Sequence, residues 1–194
     1  MQINLEEISA LSKIKILDNC IIPRPIAWII TVNNQGVINL APFSFFAPVS
    51  SEPIIFSVCF YSKSDGDLKD TFKNIICEKK ASICICESDQ LGLMHASSQE
   101  LPSTESEAVK FNIPMQAIVP EYPPIVKKSR IAFMCDYFDL LDIGKYSKTL
   151  LLEAKQLFAA NELYPDFDAR IHAVGHSGKE YQMPGEKVLM KSVK

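Results

Sequence analysis

The sequence predicts a mainly β barrel with a few helical insertions, and three observations carry that prediction. Apolar runs with the β-branched and aromatic content of strands recur from Ile26 to Ala160, separated by Gly, Asn, Asp and Pro. Clear helical periodicity is confined to one stretch after residue 66, with a shorter one near residue 104. The chain has 194 residues, 47% hydrophobic and 22% charged, which suits a single domain, residues 1–194, able to bury one substantial core.

"IAWIITV" at 26–32, the turn "NNQG" at 33–36 and "VINLA" at 37–41 read as a hairpin. "NLAPFSFF" follows: Pro42 and Pro48 bracket Phe43, Phe45 and Phe46, which predicts a stiff turn with few backbone hydrogen bonds and an apolar surface for something flat. "IIFSVCFY" at 54–61 is the next strand. In "DLKDTFKNIICEKK" at 67–80, Leu68, Phe72, Ile75 and Ile76 share a helix face, with Asp67 as N-cap. "ASICICE" at 81–87 is again a strand, and Thr104 with Glu107 offers a capping box. "MQAIV", "RIAFMCDYFDLLDI" and "TLLLEAKQLFAA" are further strands, while Pro114, Pro120, Pro123 and Pro124 mark a surface loop. "AWIITV" and "IIFSVCF" are apolar on both faces. Such strands are covered either by a second copy, giving a homodimer, or by the chain's own helices, and the scarcity of helices favours the homodimer.

Several chemistries are excluded or weakened. A net charge of −3 with scattered lysines gives no basic field for nucleic acid. The start "MQINLEEISAL" lacks a basic n-region, and no run of about 18 apolar residues occurs, which predicts a cytoplasmic protein without membrane association. Six cysteines lie mostly in apolar stretches and are expected to be reduced, without a catalytic role; Cys84 and Cys86 lack the second pair a metal site needs. With seven glycines there is neither a G-x-G-x-x-G nor a P-loop motif. "GHSG" at 175–178 lacks the second glycine of a nucleophile elbow, so Ser177 reads as a loop serine. His172 and His176 read as unrelated loop histidines, whereas His95, beside Ser97 and Ser98, is a candidate for ligand contact.

"PRPIAWIIT", "NLAPFSFF", "EPIIFSV" and "KDT" at 69–71 followed by Asn74 and Ile75, in this order from Pro23 to Ile75, resemble the flavin reductase-like family with the FMN-binding split-barrel fold. Toward the C-terminus "RIHAVGHSGKEY" is similar to the family's closing segment, with Tyr181 in place and His176 where relatives often carry arginine. The resemblance implies a six-stranded antiparallel Greek-key split barrel, a homodimer, and one FMN per subunit beside the interface. It also implies electron flow from NADH or NADPH to a small-molecule acceptor. The alternatives are an FMN-binding carrier or sensor with no nicotinamide reaction of its own, and a structural dimer without the cofactor.

The residues agree with that resemblance. FMN's phosphate needs cations and donors, which Lys69 and Thr71 at a helix start provide. Arg24 either adds a bidentate contact or is solvated between its prolines, and Asp70 in the same cluster reads as a helix cap. The flavin ring would lie on Ala41, Pro42, Phe43 and Phe45, with Asn39 and Ser44 as hydrogen-bonding groups, although taken alone the phenylalanines read as core. Thr31 and Ser57 are expected on adjacent strands facing the same site. The flavin would do the chemistry, so no catalytic residue is assigned.

Overall fold

A computed structural model describes residues 1–63, 65–163 and 171–185. Helix α1 (Ala10–Cys20) precedes strands β1 (Ala27–Val32), β2 (Ile38–Phe43), β3 (Phe46–Ser51) and β4 (Ile54–Tyr61). Helix α2 (Asp70–Glu78) leads to β5 (Lys80–Ile85), and the short helices α3 (Leu91–Ala96) and α4 (Glu107–Lys110) lie on a long excursion before β6 (Ile131–Gly144) and β7 (Ser147–Ala159).

Among the described residues the main sheet has seven antiparallel strands in the order β2-β1-β5-β6-β7-β4-β3, one more than the six expected. Its two edge strands, β2 and β3, are consecutive in the chain and joined only by Ser44 and Phe45. Strands at opposite ends of a sheet can be linked that briefly only if the sheet curls until its edges meet, and no ladder joins them, so the barrel is split. Pro42 and Pro48 sit on these edge strands, where a missing N–H costs no ladder bond. The segment read as one stiff turn is therefore the ends of two strands with a two-residue link.

Strand β1 is buried on both faces. Ala27 and Ile29 join Phe56, Val58, Phe60, Leu150 and Leu152 inside the barrel, where α2 inserts Phe72 and Ile75. Trp28 and Ile30 point outward into a second core with Met94, Ala108, Ile113, Ile125, Val126 and Met134. The outer face of β1 is thus covered by residues between 86 and 126 of the same chain, the alternative that the scarcity of helices had disfavoured. Pro123 in the supposed surface loop is buried, and its carbonyl accepts a bond from Ser82 Oγ at 2.6 Å.

Three local expectations are revised. Helix α2 begins at Asp70 with Lys69 as its N-cap, so neither Asp67 nor Asp70 caps it: Asp67 pairs with Lys73, and Asp70 with Lys63 at 2.9 Å. No Thr104–Glu107 capping box forms; Ser106 is the N-cap of α4, and Glu107 accepts the Leu40 N–H instead, at 2.9 Å. Helix α1 carries no buried residue, so its pattern offered no strong amphipathic signal.

The cysteines divide by burial. Cys84, Cys86 and Cys135 are buried and Cys59 is half-buried, in keeping with mostly apolar positions, whereas Cys20 and Cys77 are exposed. Burial pushes the Cys84 thiol up to about 11 and Cys86 to about 12. A thiol reagent should label Cys20 and Cys77 in the native protein, and Cys84, Cys86 and Cys135 only after unfolding; rapid native labelling of all three buried thiols would contradict this packing.

Trp28 Nε1–H donates to Ser97 Oγ at 2.9 Å, and both residues are buried. Ser97→Ala should therefore lower unfolding free energy by about 1–3 kcal/mol through an orphaned indole N–H. In a Trp28→Phe background, denaturant titration should show that penalty shrinking.

Candidate functional site

The two sheet edges do not pair, and a cleft of ≈ 220 Å³ lies beside the link that joins them. One wall is the end of β2 and its link, Asn39, Ala41, Pro42, Phe43, Ser44 and Phe45; another is Cys59 and Tyr61 of β4. The start of α2 adds Lys69, Asp70 and Thr71, and residues 97–101 with Glu107 close the third side. Phe43 packs on Phe60 with ring centroids 4.7 Å apart, and Phe45 meets Tyr61 edge-on at 5.3 Å, so each ring is held from behind while remaining in the cleft wall. Phe46 is core against Phe56.

Among the sequence-named candidates, Asn39, Ala41, Pro42, Phe43, Ser44, Phe45, Lys69, Asp70 and Thr71 converge here. Arg24, Thr31 and Ser57 do not line the cleft. Strands β1 and β4 are not neighbours, contrary to the expected adjacency; Thr31 is fully buried and accepts from Asn74 at 3.0 Å, while Ser57 donates to the Ala47 carbonyl.

Arg24 is neither solvated nor in the cleft. It is 5% exposed, donates to the Asp18 carbonyl at 2.7 Å, and pairs with the Asp18 carboxylate at 3.2 Å. Its guanidinium lies 5.2 Å from the Phe45 ring centre. Its Nη2 reaches His176 Nδ1 at 3.1 Å, and Ser44 Oγ is 2.8 Å from the same nitrogen. A guanidinium can only donate, so Nδ1 is the acceptor and the imidazole proton sits on Nε2. His176 is thus a fixed neutral positioning residue, not a stray loop histidine. A second, smaller cavity bounded by Ile26, Pro42, Ser44, Ser98, His176 and Tyr181 adjoins the cleft.

His95 Nδ1 lies 3.0 Å from Tyr181 Oη outside the cleft, while its neighbours Ser97 and Ser98 line it. Ser177 lies in a short strand, Gly175–Ser177, that pairs with Arg24–Pro25; Arg170, the first residue of the closing segment, lies outside the described residues. Sequence reasoning missed Cys59, Tyr61, Lys63, Gln99, Glu100, Leu101 and Glu107. The polar run "SSQE" at 97–100 was the available signal.

The electrostatics are mixed. Asn39 Nδ2–H donates to Thr71 Oγ1 at 2.7 Å. No side chain caps the first N–H groups of α2, whose positive end opens into the cleft at Lys69–Thr71. Burial raises the Glu107 carboxyl above its ordinary range, although the Leu40 N–H partly offsets this.

Known proteins share this architecture. Component B of nitrilotriacetate monooxygenase from Bacillus cereus superposes with a TM-score of 0.90 over 98% of both chains at 26% identity. The flavoredoxin of Desulfovibrio vulgaris superposes at 0.75 over 98% of this chain and 97% of its own, with 13% identity, a likeness of fold alone. The fold defines a split barrel with a cleft beside the link between its edges. Residues 19–176 match the flavin reductase like domain, and the chain belongs to that family. An uncharacterized Bacillus subtilis protein, YwrF, is 30% identical over 131 residues, 67% of this chain and 63% of its own length. Membership makes the chain a flavin-related oxidoreductase, and no helix among the described residues is long and apolar enough to cross a membrane.

Burial, and then the Arg24 charge, lower the His176 pKa below its ordinary value of about 6.5. By NMR titration, His176 should stay neutral to below that pH, and Arg24→Gln should move its titration upward by removing one of the two causes. Protonation at or above the ordinary value in the unaltered protein would contradict the burial of His176 beside Arg24.

Proposed function

We propose that this protein is an FMN-dependent oxidoreductase, working as a homodimer, that passes electrons from NADH or NADPH through FMN to a small-molecule acceptor. The observation that carries this reading is the two-ended chemistry of the cleft. Pro42, Phe43 and Phe45 form a flat apolar wall for the isoalloxazine, and Lys69, Thr71 and the uncapped start of α2 stand at the other end for the phosphate. Thr71 Oγ1 already accepts from Asn39, so its own proton is available to a phosphate oxygen. Asp70 is neutralised by Lys63 and stands beside that position without repelling it strongly.

The residues present fit FMN. When bound, it supplies the hydride and electron chemistry. The chain's side chains orient it: Arg24 lies against the back of Phe45 and, through His176, fixes the Ser44 hydroxyl. Neither Thr31 nor Ser57 takes part directly.

The dimer rests on two features. A cleft of ≈ 220 Å³ is below the range of about 300–1,000 Å³ usual for cofactor sites, so one protomer provides only part of the walls. Exposed apolar residues also gather on α1 (Leu11, Leu17, with Ile21 just beyond) and at the tip of the β6–β7 hairpin (Phe138, Leu141, Ile143, Tyr146), surface that a second copy would cover. Sedimentation should give a dimer; a stable folded monomer at micromolar concentration would count against it.

The cofactor reading is tested with two flavins. Lys69→Ala combined with Thr71→Val leaves Phe72 and Ile75 in the core and removes a charge and a hydroxyl, worth about 1.5–3 kcal/mol per charge-assisted bond, so FMN affinity should fall at least tenfold. Riboflavin, without the phosphate, should be nearly indifferent. Anaerobic bleaching of the flavin absorbance by NADH or NADPH identifies the oxidoreductase; a flavin that binds but stays oxidised with both identifies a carrier or sensor.

A further inference from the structure

We propose that Glu100 is an internal competitor for the FMN phosphate, holding Lys69 while the cleft is free of flavin and thereby setting how readily the cofactor exchanges. The inference rests on the reading that the phosphate lies at Lys69 and the start of α2.

The charged side chains lining the cleft are Lys63, Lys69, Asp70, Glu100 and Glu107. Both cations are already engaged. Lys63 pairs with Asp70 at 2.9 Å, and these side chains are only 17% and 16% exposed. Lys69 pairs with Glu100, which reaches across the cleft from residues 97–101. Glu107 has no cation partner among the described residues, and one of its oxygens is taken by the Leu40 N–H. A dianion approaching the start of α2 therefore meets no uncommitted positive side chain among the lining residues.

The two ion pairs are not equally easy to break. The Lys69–Glu100 pair is more open, at 30% and 48% exposure, so water can take over the Glu100 carboxylate when Lys69 turns away. A pair this exposed contributes about 0.2–1 kcal/mol, which makes it a competitor that a phosphate dianion can displace rather than a block. The incoming phosphate gains Lys69, the Thr71 hydroxyl and the positive end of α2, whereas Glu100 loses only Lys69. Glu100 thus occupies Lys69 in the manner of a phosphate, and its charge lowers the preference of the cleft for FMN over riboflavin.

Glu100→Gln keeps the shape and removes the charge. Binding measured by flavin fluorescence quenching should show FMN held about two- to fivefold more tightly, with slower dissociation in stopped flow. Riboflavin affinity should change by less than about twofold, since it brings no phosphate. Glu105→Gln removes the same charge from outside the cleft and should leave FMN affinity within about twofold. If the unaltered protein binds both flavins and Glu100→Gln leaves FMN affinity unchanged or weaker, Glu100 is not a competitor, while the FMN reading stands. If FMN and riboflavin bind equally in the unaltered protein and in the Lys69→Ala, Thr71→Val variant, or if neither binds, the phosphate reading itself fails and takes this inference with it. An equal gain in Glu105→Gln would reduce the effect to general charge and would overturn the proposal.

Discussion

Ser44 and Phe45 join strands that stand at opposite ends of a seven-strand sheet, and the rest of the architecture follows from that constraint. The sheet must curl, its two edges must approach, and the approach must stop short of pairing because prolines sit on both edges. The cleft opens beside the link, between the end of β2, Cys59 and Tyr61 of β4, the start of α2 and residues 97–101. Its aromatic wall is stiff because the Phe45 carbonyl accepts the Cys59 N–H at 2.9 Å and both cleft phenylalanines are backed by aromatic rings of β4.

A second layer of polar contacts ties this seam to distant parts of the chain. Arg24 gathers the end of α1, through Asp18, and the C-terminal ribbon, through His176, onto the link between the edges. On the opposite side Ser97 lines the cleft while its hydroxyl receives the Trp28 indole from the outer core. The cleft is accordingly supported by both hydrophobic layers, and its shape is coupled to packing that lies well outside it.

Those features that depend on local pattern were legible in the sequence. The hairpin of β1 and β2, strand β4 and the buried face of α2 follow from periods of 2 and 3.6, and the cleft wall at 39–45 follows from prolines and aromatics in a short run. Features that depend on long-range competition were not. Periodicity gives the face of α2 but not its first residue, because Asp67 is drawn to Lys73 and Asp70 to Lys63. The Glu107 carboxylate left a locally favourable cap for the backbone of β2. Arg24 finds partners from residue 18 to residue 176, a span no window of sequence reveals. The apolar outer face of β1 was read correctly as needing a cover, but the cover is an irregular excursion with too little periodicity to announce itself as packing material.

Strand β1 feeds two cores at once, Ala27 and Ile29 on one side and Trp28 and Ile30 on the other. Gaining or losing a single residue between Ile26 and Val32 would exchange the two sets, placing an indole inside the barrel and leaving its outer site filled by a smaller group. A change of length within β1 is therefore far more disruptive than one in the 33–37 turn, at the far end of the hairpin from Phe43. Through the pairing of Ala27 with Phe43, that restriction also holds the aromatic wall at a constant height along the seam. The turn itself is held by Asn33, whose side chain accepts from the Gln35 and Val37 N–H groups and donates to the Ser103 carbonyl, so the hairpin is pinned at both ends.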